Sequence, residues 1–183
     1  MRKIVAAINM TVDGFCDHTA ITPDEEIHYH YSGLLRNAGI ILYGRITYQL
    51  MEYWPPFVKN PSGNKSMDEF AVVIDQIQKI VFSNTLKNLE WKSAKLATKN
   101  LADEISDLKQ EKGKDVLIGS RSLIVEGLNI GLVDEFQICV HPVIAGKGLP
   151  LLNNISDKID LQLLQTKTFN SGAVIFYYRP VKK

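Results

Sequence analysis

Two short segments of this 183-residue sequence combine glycine, arginine and hydroxyl side chains in a way suited to holding an anion. Gly44-Arg45-Ile46-Thr47-Tyr48 follows directly on the apolar run 40–43, and Gly119-Ser120-Arg121-Ser122 follows on the run 115–118. In an open α/β sheet, ligands bind beyond the carboxyl ends of the strands. A helix that starts there presents unpaired backbone N–H groups and the positive end of its dipole, which suits phosphate. Glycine lets a ligand approach the backbone, Arg45 and Arg121 add positive charge, and Thr47, Ser120 and Ser122 add hydroxyl donors. Two such turns on one sheet would hold the separated phosphates of a dinucleotide. The plainer alternative is a tight turn with a solvated arginine in each case. Neither segment is a G-x-x-x-x-G-K-[ST] phosphate loop, and no G-x-G-x-x-G follows the first apolar run. A nucleoside triphosphatase and a standard Rossmann dehydrogenase are both disfavoured. Gly146-Lys147-Gly148 is either a third anion-binding turn or a flexible connection before Leu151.

The elements that must carry these turns are legible from periodicity and caps. A buried strand is expected over 4–8, then a loop through Thr11, Asp13 and Gly14. Thr22-Pro23-Asp24-Glu25 combines a capping box with proline at the first helical position, so a helix should start at Thr22. Ile27, Tyr31, Leu34 and Ala38 keep helical spacing up to a stop at Gly39. Strands follow over 40–43, 79–83, 94–97 and 115–118, with helical segments at 46–51, from a Ser66/Glu69 capping box through Ile77, from an Asn100 cap to Gly113, and around 123–128. Residues 54–63 read as a loop opened by Trp54-Pro55-Pro56. After Asp134 the texture changes to strands alone, over 135–143, 161–169 and 173–178, with a hairpin turn at Asn170-Ser171-Gly172. Alternating βα units ending in strands predict an α/β fold with a mostly parallel sheet of about eight strands and antiparallel strands at one edge. The whole chain, 1–183, reads as one domain.

Composition narrows the class further. The net charge of +1, from 21 basic against 20 acidic residues, lacks the excess a nucleic-acid or membrane-surface protein would carry. Two cysteines, Cys16 and Cys139, make a disulfide framework or zinc cluster unexpected. Cys139 falls in an apolar strand and reads as packing. His18 and His30 have no partners suggesting metal ligation, so no metal is expected. The amino-terminal residues turn polar too early for a signal peptide, and no apolar run reaches the roughly 20 residues that span a bilayer. The expected compartment is reducing cytoplasm.

The order of motifs resembles the dihydrofolate reductase fold: Gly44-Arg45-x-Thr47-Tyr48 after a strand, Lys79-x-Val81-Phe82-Ser83, then Val116-Leu117-Ile118-Gly119-Ser120. Met10-Thr11-Val12-Asp13-Gly14, and Val133-Asp134-Glu135-Phe136 through Pro142 to Pro150, resemble its riboflavin-biosynthesis branch. That branch includes the C-terminal reductase domain of a bifunctional deaminase-reductase and many stand-alone relatives. The resemblance covers nearly the whole chain. It implies a twisted eight-stranded sheet, NADPH, hydride transfer to a small polar heterocycle as in 5-amino-6-(5-phosphoribosylamino)uracil reduction or to a sugar-derived carbonyl, and a homodimer. Carried over by position, it places Gly44, Arg45 and Thr47 at the dinucleotide phosphates. Ser83 and Asn84 fall near the adenosine end and its 2′-phosphate, and Gly119, Ser120, Arg121, Ser122 and Leu123 around the pyrophosphate. The second glycine of the usual Gly-Gly pair is Ser120 here, so its side chain is expected to crowd the cofactor.

On the substrate side, dihydrofolate reductases place a carboxylate on their first helix, and the matching position is His28. Asp24, one turn earlier, falls on the same side as Ile27, Tyr31 and Leu35. Two readings stay open: an Asp24–His28 pair that donates a proton, or an Asp24 that complements the helix dipole beside a His28 at the rim of the apolar face. Asn9, Asp13 and Phe15 would line the substrate pocket, although Asp13-Gly14 is equally a simple turn. His141 reads as structural. Trp54, Pro55 and Pro56 form either a lid or a rigid surface loop. Two rival functions remain, folate reduction proper and a nucleotide-binding protein of this fold without catalysis.

Overall fold

A computed structural model describes residues 1–181. Among them the strands β1 (Ile4–Thr11), β2 (Ala38–Gly44), β3 (Gln78–Phe82), β4 (Ala94–Leu96), β5 (Asp115–Ile118), β6 (Glu135–His141), β7 (Leu161–Thr168) and β8 (Val174–Pro180) form a single sheet, ordered β4-β3-β2-β5-β1-β6-β8-β7. From β4 to β6 every neighbouring pair is parallel, and β8 runs antiparallel to both β6 and β7. The mixed α/β architecture expected from the motif order is therefore present.

Side chains alternate across the central strands and build two layers. Ile4, Ala6, Ile40, Leu42, Val116 and Ile118 pack on one face with α5 (Leu101–Gln110) and α6 (Arg121–Asn129). Val5, Ile41, Tyr43 and Leu117 pack on the other, against α1 (Glu25–Asn37) and α4 (Lys65–Gln76). A strand covered on both faces must be apolar at successive positions, which explains the continuous runs in β2 and β5.

Several local expectations are corrected. The cap of α1 is Asp24, not Thr22: its carboxylate accepts the Ile27 amide at 2.9 Å, bonding the third amide of the helix as an N-cap does. Helix α4 is capped by Asn64 rather than Ser66, because the Asn64 side chain accepts from both Ser66 and Met67. Gly39 is not a helix stop. The chain turns extended at Ala38, and Gly39 lies in β2, where a Cβ would come 3.1 Å from the Arg2 guanidinium. The expected loop after Trp54 contains the short helix α3 (Pro55–Lys59), started by its two prolines. Strand β1 continues to Thr11 because β6 pairs with it to that point. The hairpin turn at 170–172 is present, with Gly172 at φ +83°.

Candidate active site

Strands β2 and β5 are parallel neighbours, with Leu42 opposite Ile118, so their carboxyl ends and the helices that follow lie side by side. Gly44 ends β2 and precedes α2 (Arg45–Met51), while Gly119 and Ser120 join β5 to α6. The two turns are stitched together. Ser120 Oγ accepts the Gly44 amide at 2.7 Å, and the Gly119 amide donates to the Leu42 carbonyl at 3.3 Å. Ser120 is buried. Its side chain is thus occupied by the neighbouring turn, and it binds one of the amides that the sequence reading had left for phosphate. Gly119 has a steric reason to lack a side chain, since a Cβ would sit 2.8 Å from a ring carbon of Tyr43.

The paired helix starts contribute to two concavities. On the α5–α6 side is a groove of about 670 Å³ lined by Arg45, Ser83, Asn84, Lys99, Asn100 and Leu123, among others. Arg45 is exposed there and donates to Gln49 Oε1 at 3.2 Å. Ser83 Oγ organises the turn beyond β3 by accepting the amides of Thr85 and Leu86. Arg121 is directed elsewhere. Its Nε donates to the Pro150 carbonyl at 2.5 Å and its Nη2 to Asn153, so it ties α6 to the 150–153 segment.

On the α1–α4 side is a narrower cavity of about 230 Å³. Ile8 and Asn9 of β1 and Gly119 form part of its floor, His28, Tyr31 and Leu34 of α1 one wall, and Thr47, Trp54 and Phe70 another. The spacing 28, 31, 34/35 puts one stripe of α1 on this space. Trp54 and Phe70 meet edge to face at 4.6 Å, and His28 lies 5.8 Å from Trp54 and 6.0 Å from Phe70. Burial among these rings lowers the His28 pKa, and the Asp24 and Glu25 carboxylates pull it part of the way back.

Asp24 and His28 are joined through the backbone, His28 N to Asp24 O at 3.0 Å, while the Asp24 carboxylate turns to the Ile27 amide and to Ser171. Burial raises the Asp24 pKa, but these hydrogen bonds outweigh it and hold the group below the ordinary range. The two side chains are electrostatic neighbours rather than a hydrogen-bonded dyad. Asn9 lines the cavity. Its Oδ1 accepts the Tyr31 hydroxyl at 3.0 Å and lies 3.0 Å from His141 Nε2. Asp13 and Phe15 are placed outside the cavity wall. The Asp13 carboxylate takes the Thr11 hydroxyl at 2.6 Å and the Ala145 and Gly146 amides at 3.1 and 2.7 Å, fastening the 145–148 turn. Those bonds, led by Thr11, bring its pKa down to about 2. Phe15 bridges to Pro150.

The sequence reading did not assign Tyr31, Phe70 and His141 to the site. Tyr31 carried a signal, one turn from His28 on the same helical stripe. His141 and Phe70 did not, because strand register and the crossing of α4 over α1 bring them in.

An α/β sheet of this order is a dihydrofolate-reductase-like fold, with a candidate ligand site at its carboxyl edge where two facing glycine turns adjoin a groove and a cavity. The exposed cation Arg45 bordering the groove suits an anionic group there, whereas the space a Cβ at Gly119 would take is already filled by the Tyr43 ring. Residues 2–175 match the RibD C-terminal domain family, and the chain belongs to it. Protein YyaP of Bacillus subtilis is 33% identical over 185 residues, covering 97% of this chain and 94% of that protein. Among solved structures, a Shewanella sp. PV-4 protein assigned to riboflavin biosynthesis superposes with TM-score 0.75 at 17% identity over 98% of this chain and 99% of that one. The Thermotoga maritima diaminohydroxyphosphoribosylaminopyrimidine deaminase/5-amino-6-(5-phosphoribosylamino)uracil reductase gives 0.67 at 16% identity, over 98% of this chain and 57% of that one. Among the described residues no helix is long and apolar enough to cross a membrane.

Proposed function

We propose that this chain is an NADPH-dependent reductase that adds hydride to a small heterocycle. The observation that carries this reading is the stitched pair of turns, Gly44 on Ser120, from which one concavity opens toward Arg45, Ser83 and Asn84 and the other toward Asn9, His28 and Thr47. The groove suits the charged adenosine half of the cofactor, with Arg45 near its phosphates. Thr47 and Gly119 then border the place for the nicotinamide, at the mouth of the cavity. When bound, the cofactor supplies a hydride with its electron pair, forming a C–H bond on the acceptor carbon, and the adjoining heteroatom of the acceptor takes a proton.

The chain's own part is orientation, exclusion of water and the proton. Trp54 and Phe70 close the cavity with apolar rings, while His28 is the titratable ring on its wall and Asp24 and Glu25 bias its charge. Folate reduction proper receives no support, because the helix position expected to hold a carboxylate presents His28 instead. Titration calorimetry tests the assignment. NADPH should bind the protein, and Gly119→Ala should weaken that binding about tenfold or more by forcing the Tyr43 ring toward the cradle. No heat of binding with NADPH would end the enzyme reading.

A further inference from the structure

The cavity's composition says what kind of acceptor it takes. Its lining includes no aspartate, glutamate, lysine or arginine among the described residues. A phosphate dianion moved from water into such a space would lose its hydration with only the His28 ring, whose protonation burial opposes, as a cationic partner. The charges felt at the wall worsen the case, because Asp24 and Glu25, which act on the His28 ring, are both anionic. A planar uncharged ring meets no such penalty and gains from the faces and edges of Trp54 and Phe70.

One polar group on the floor has a fixed direction. Tyr31 donates its hydroxyl proton to Asn9 Oδ1 at 3.0 Å, and His141 Nε2 approaches the same oxygen at 3.0 Å from the side of β6. Accepting the Tyr31 hydroxyl proton sets which end of the carboxamide faces that side, and the His141 tautomer with its proton on Nε2 reinforces the same orientation. The NH₂ end is thereby turned away from Tyr31 and His141, and among the described residues no protein oxygen receives it. We infer that the cavity selects a neutral, unphosphorylated planar ring, and that Asn9 Nδ2 recognises an acceptor atom on that ring, a carbonyl oxygen or an unprotonated ring nitrogen. Tyr31 and His141 are positioning residues for this contact. The inference deepens the reductase reading above and rests on it for the identification of the cavity as the substrate site. It also separates this chain from the phosphoribosyl substrate named for the Thermotoga relative.

Lumazine, a planar dione, serves as the probe, at a pH where it is uncharged. Calorimetry on the full chain without cofactor should show binding, and no heat would overturn the inference. In competition against bound lumazine, uridine 5′-monophosphate should be at least about tenfold weaker than uridine, or not compete at all. Equal or stronger competition by the monophosphate overturns the exclusion of phosphate. Asn9→Leu should weaken lumazine about tenfold or more while leaving indole, a ring with no strong acceptor, bound as well as before. A folding defect would weaken both, so parallel loss of lumazine and indole, or unchanged lumazine affinity, counts against Asn9. Because these readouts omit NADPH, they stand apart from the cofactor titration. A protein that binds lumazine but not NADPH sinks the reductase reading alone.

Discussion

At the scale of single residues the site is governed by hydrogen-bond occupancy. Ser120 shows this best. A serine in place of the family's glycine looks, in sequence, like an obstacle to the cofactor, yet its hydroxyl satisfies the Gly44 amide at 2.7 Å. Ser120→Ala should then lower the unfolding free energy by about 1–2 kcal/mol, measured in urea, since it strands a part-buried amide. Ser120→Thr, which keeps the oxygen, should lose less. His28 supports a prediction of pH dependence. Burial among Trp54 and Phe70 lowers its pKa from 6.5, with Asp24 and Glu25 opposing. If the protonated ring supplies the proton, hydride transfer is fastest in acid and falls as pH rises through that lowered value. Stopped-flow NADPH oxidation should show this limb in the native protein and lose it in His28→Gln. A limb that persists in the variant would assign the proton to another group.

At the scale of elements, the strands were legible because burial on both faces writes itself as continuous apolar runs, and the run 115–118 is the strand observed. Helix starts were less so. Thr22 and Ser66 fit cap patterns, but Asp24 and Asn64 stood close by with side chains able to reach the same amides, and local sequence does not rank such competitors. The site was legible where it depends on strand ends, at Gly44 and Gly119, and illegible where register matters, as in the meeting of Asn9 and His141 across β1 and β6. Lys79 makes the same point. Read as part of an apolar strand, it is fully buried, and its Nζ donates to Ser93 Oγ at 2.7 Å and the Ile77 carbonyl at 2.8 Å, 3.9 Å from the centre of the Trp91 ring. It joins the carboxyl end of α4 to β3 and the segment entering β4. Burial brings its pKa down from 10.5 to about 7, with Asp75 opposing. Between those values the unfolded chain binds the extra proton, so stability should rise with pH from about 7 toward 10.5, by at most about 1.4 kcal/mol per pH unit, and stay flat with respect to this group below. Urea unfolding across that range should show the rise, and Lys79→Met should remove it. Equal slopes in both proteins would mean that the amine is not desolvated in the fold.

At the scale of the whole molecule, the two edges of the sheet differ. β4 is a three-residue strand, too short to offer much to another chain, whereas β7 has eight residues, all of them exposed, and pairs only with β8 among the described residues. Edge strands in soluble proteins are usually guarded by charge, proline or brevity. β7 carries one lysine, Lys167, and three exposed leucines, Leu161, Leu163 and Leu164. An edge of this length is able to pair antiparallel with a second copy of itself; about its midpoint Leu161, Leu163 and Leu164 would face Thr168, Thr166 and Gln165. The homodimer expected from the family resemblance would close on this edge, leaving the carboxyl-end site, four and five strands away at β5 and β2, open in both copies. Sedimentation velocity at micromolar concentration should therefore give a dimer, and Leu163→Lys a monomer, since the lysine would then be buried in the seam opposite Thr166 with no counter-ion. The NADPH affinity of that monomer should match the native value, because no groove residue lies on β7 or β8. A native protein that sediments as a monomer, or a dimer indifferent to Leu163→Lys, would move the contact away from β7.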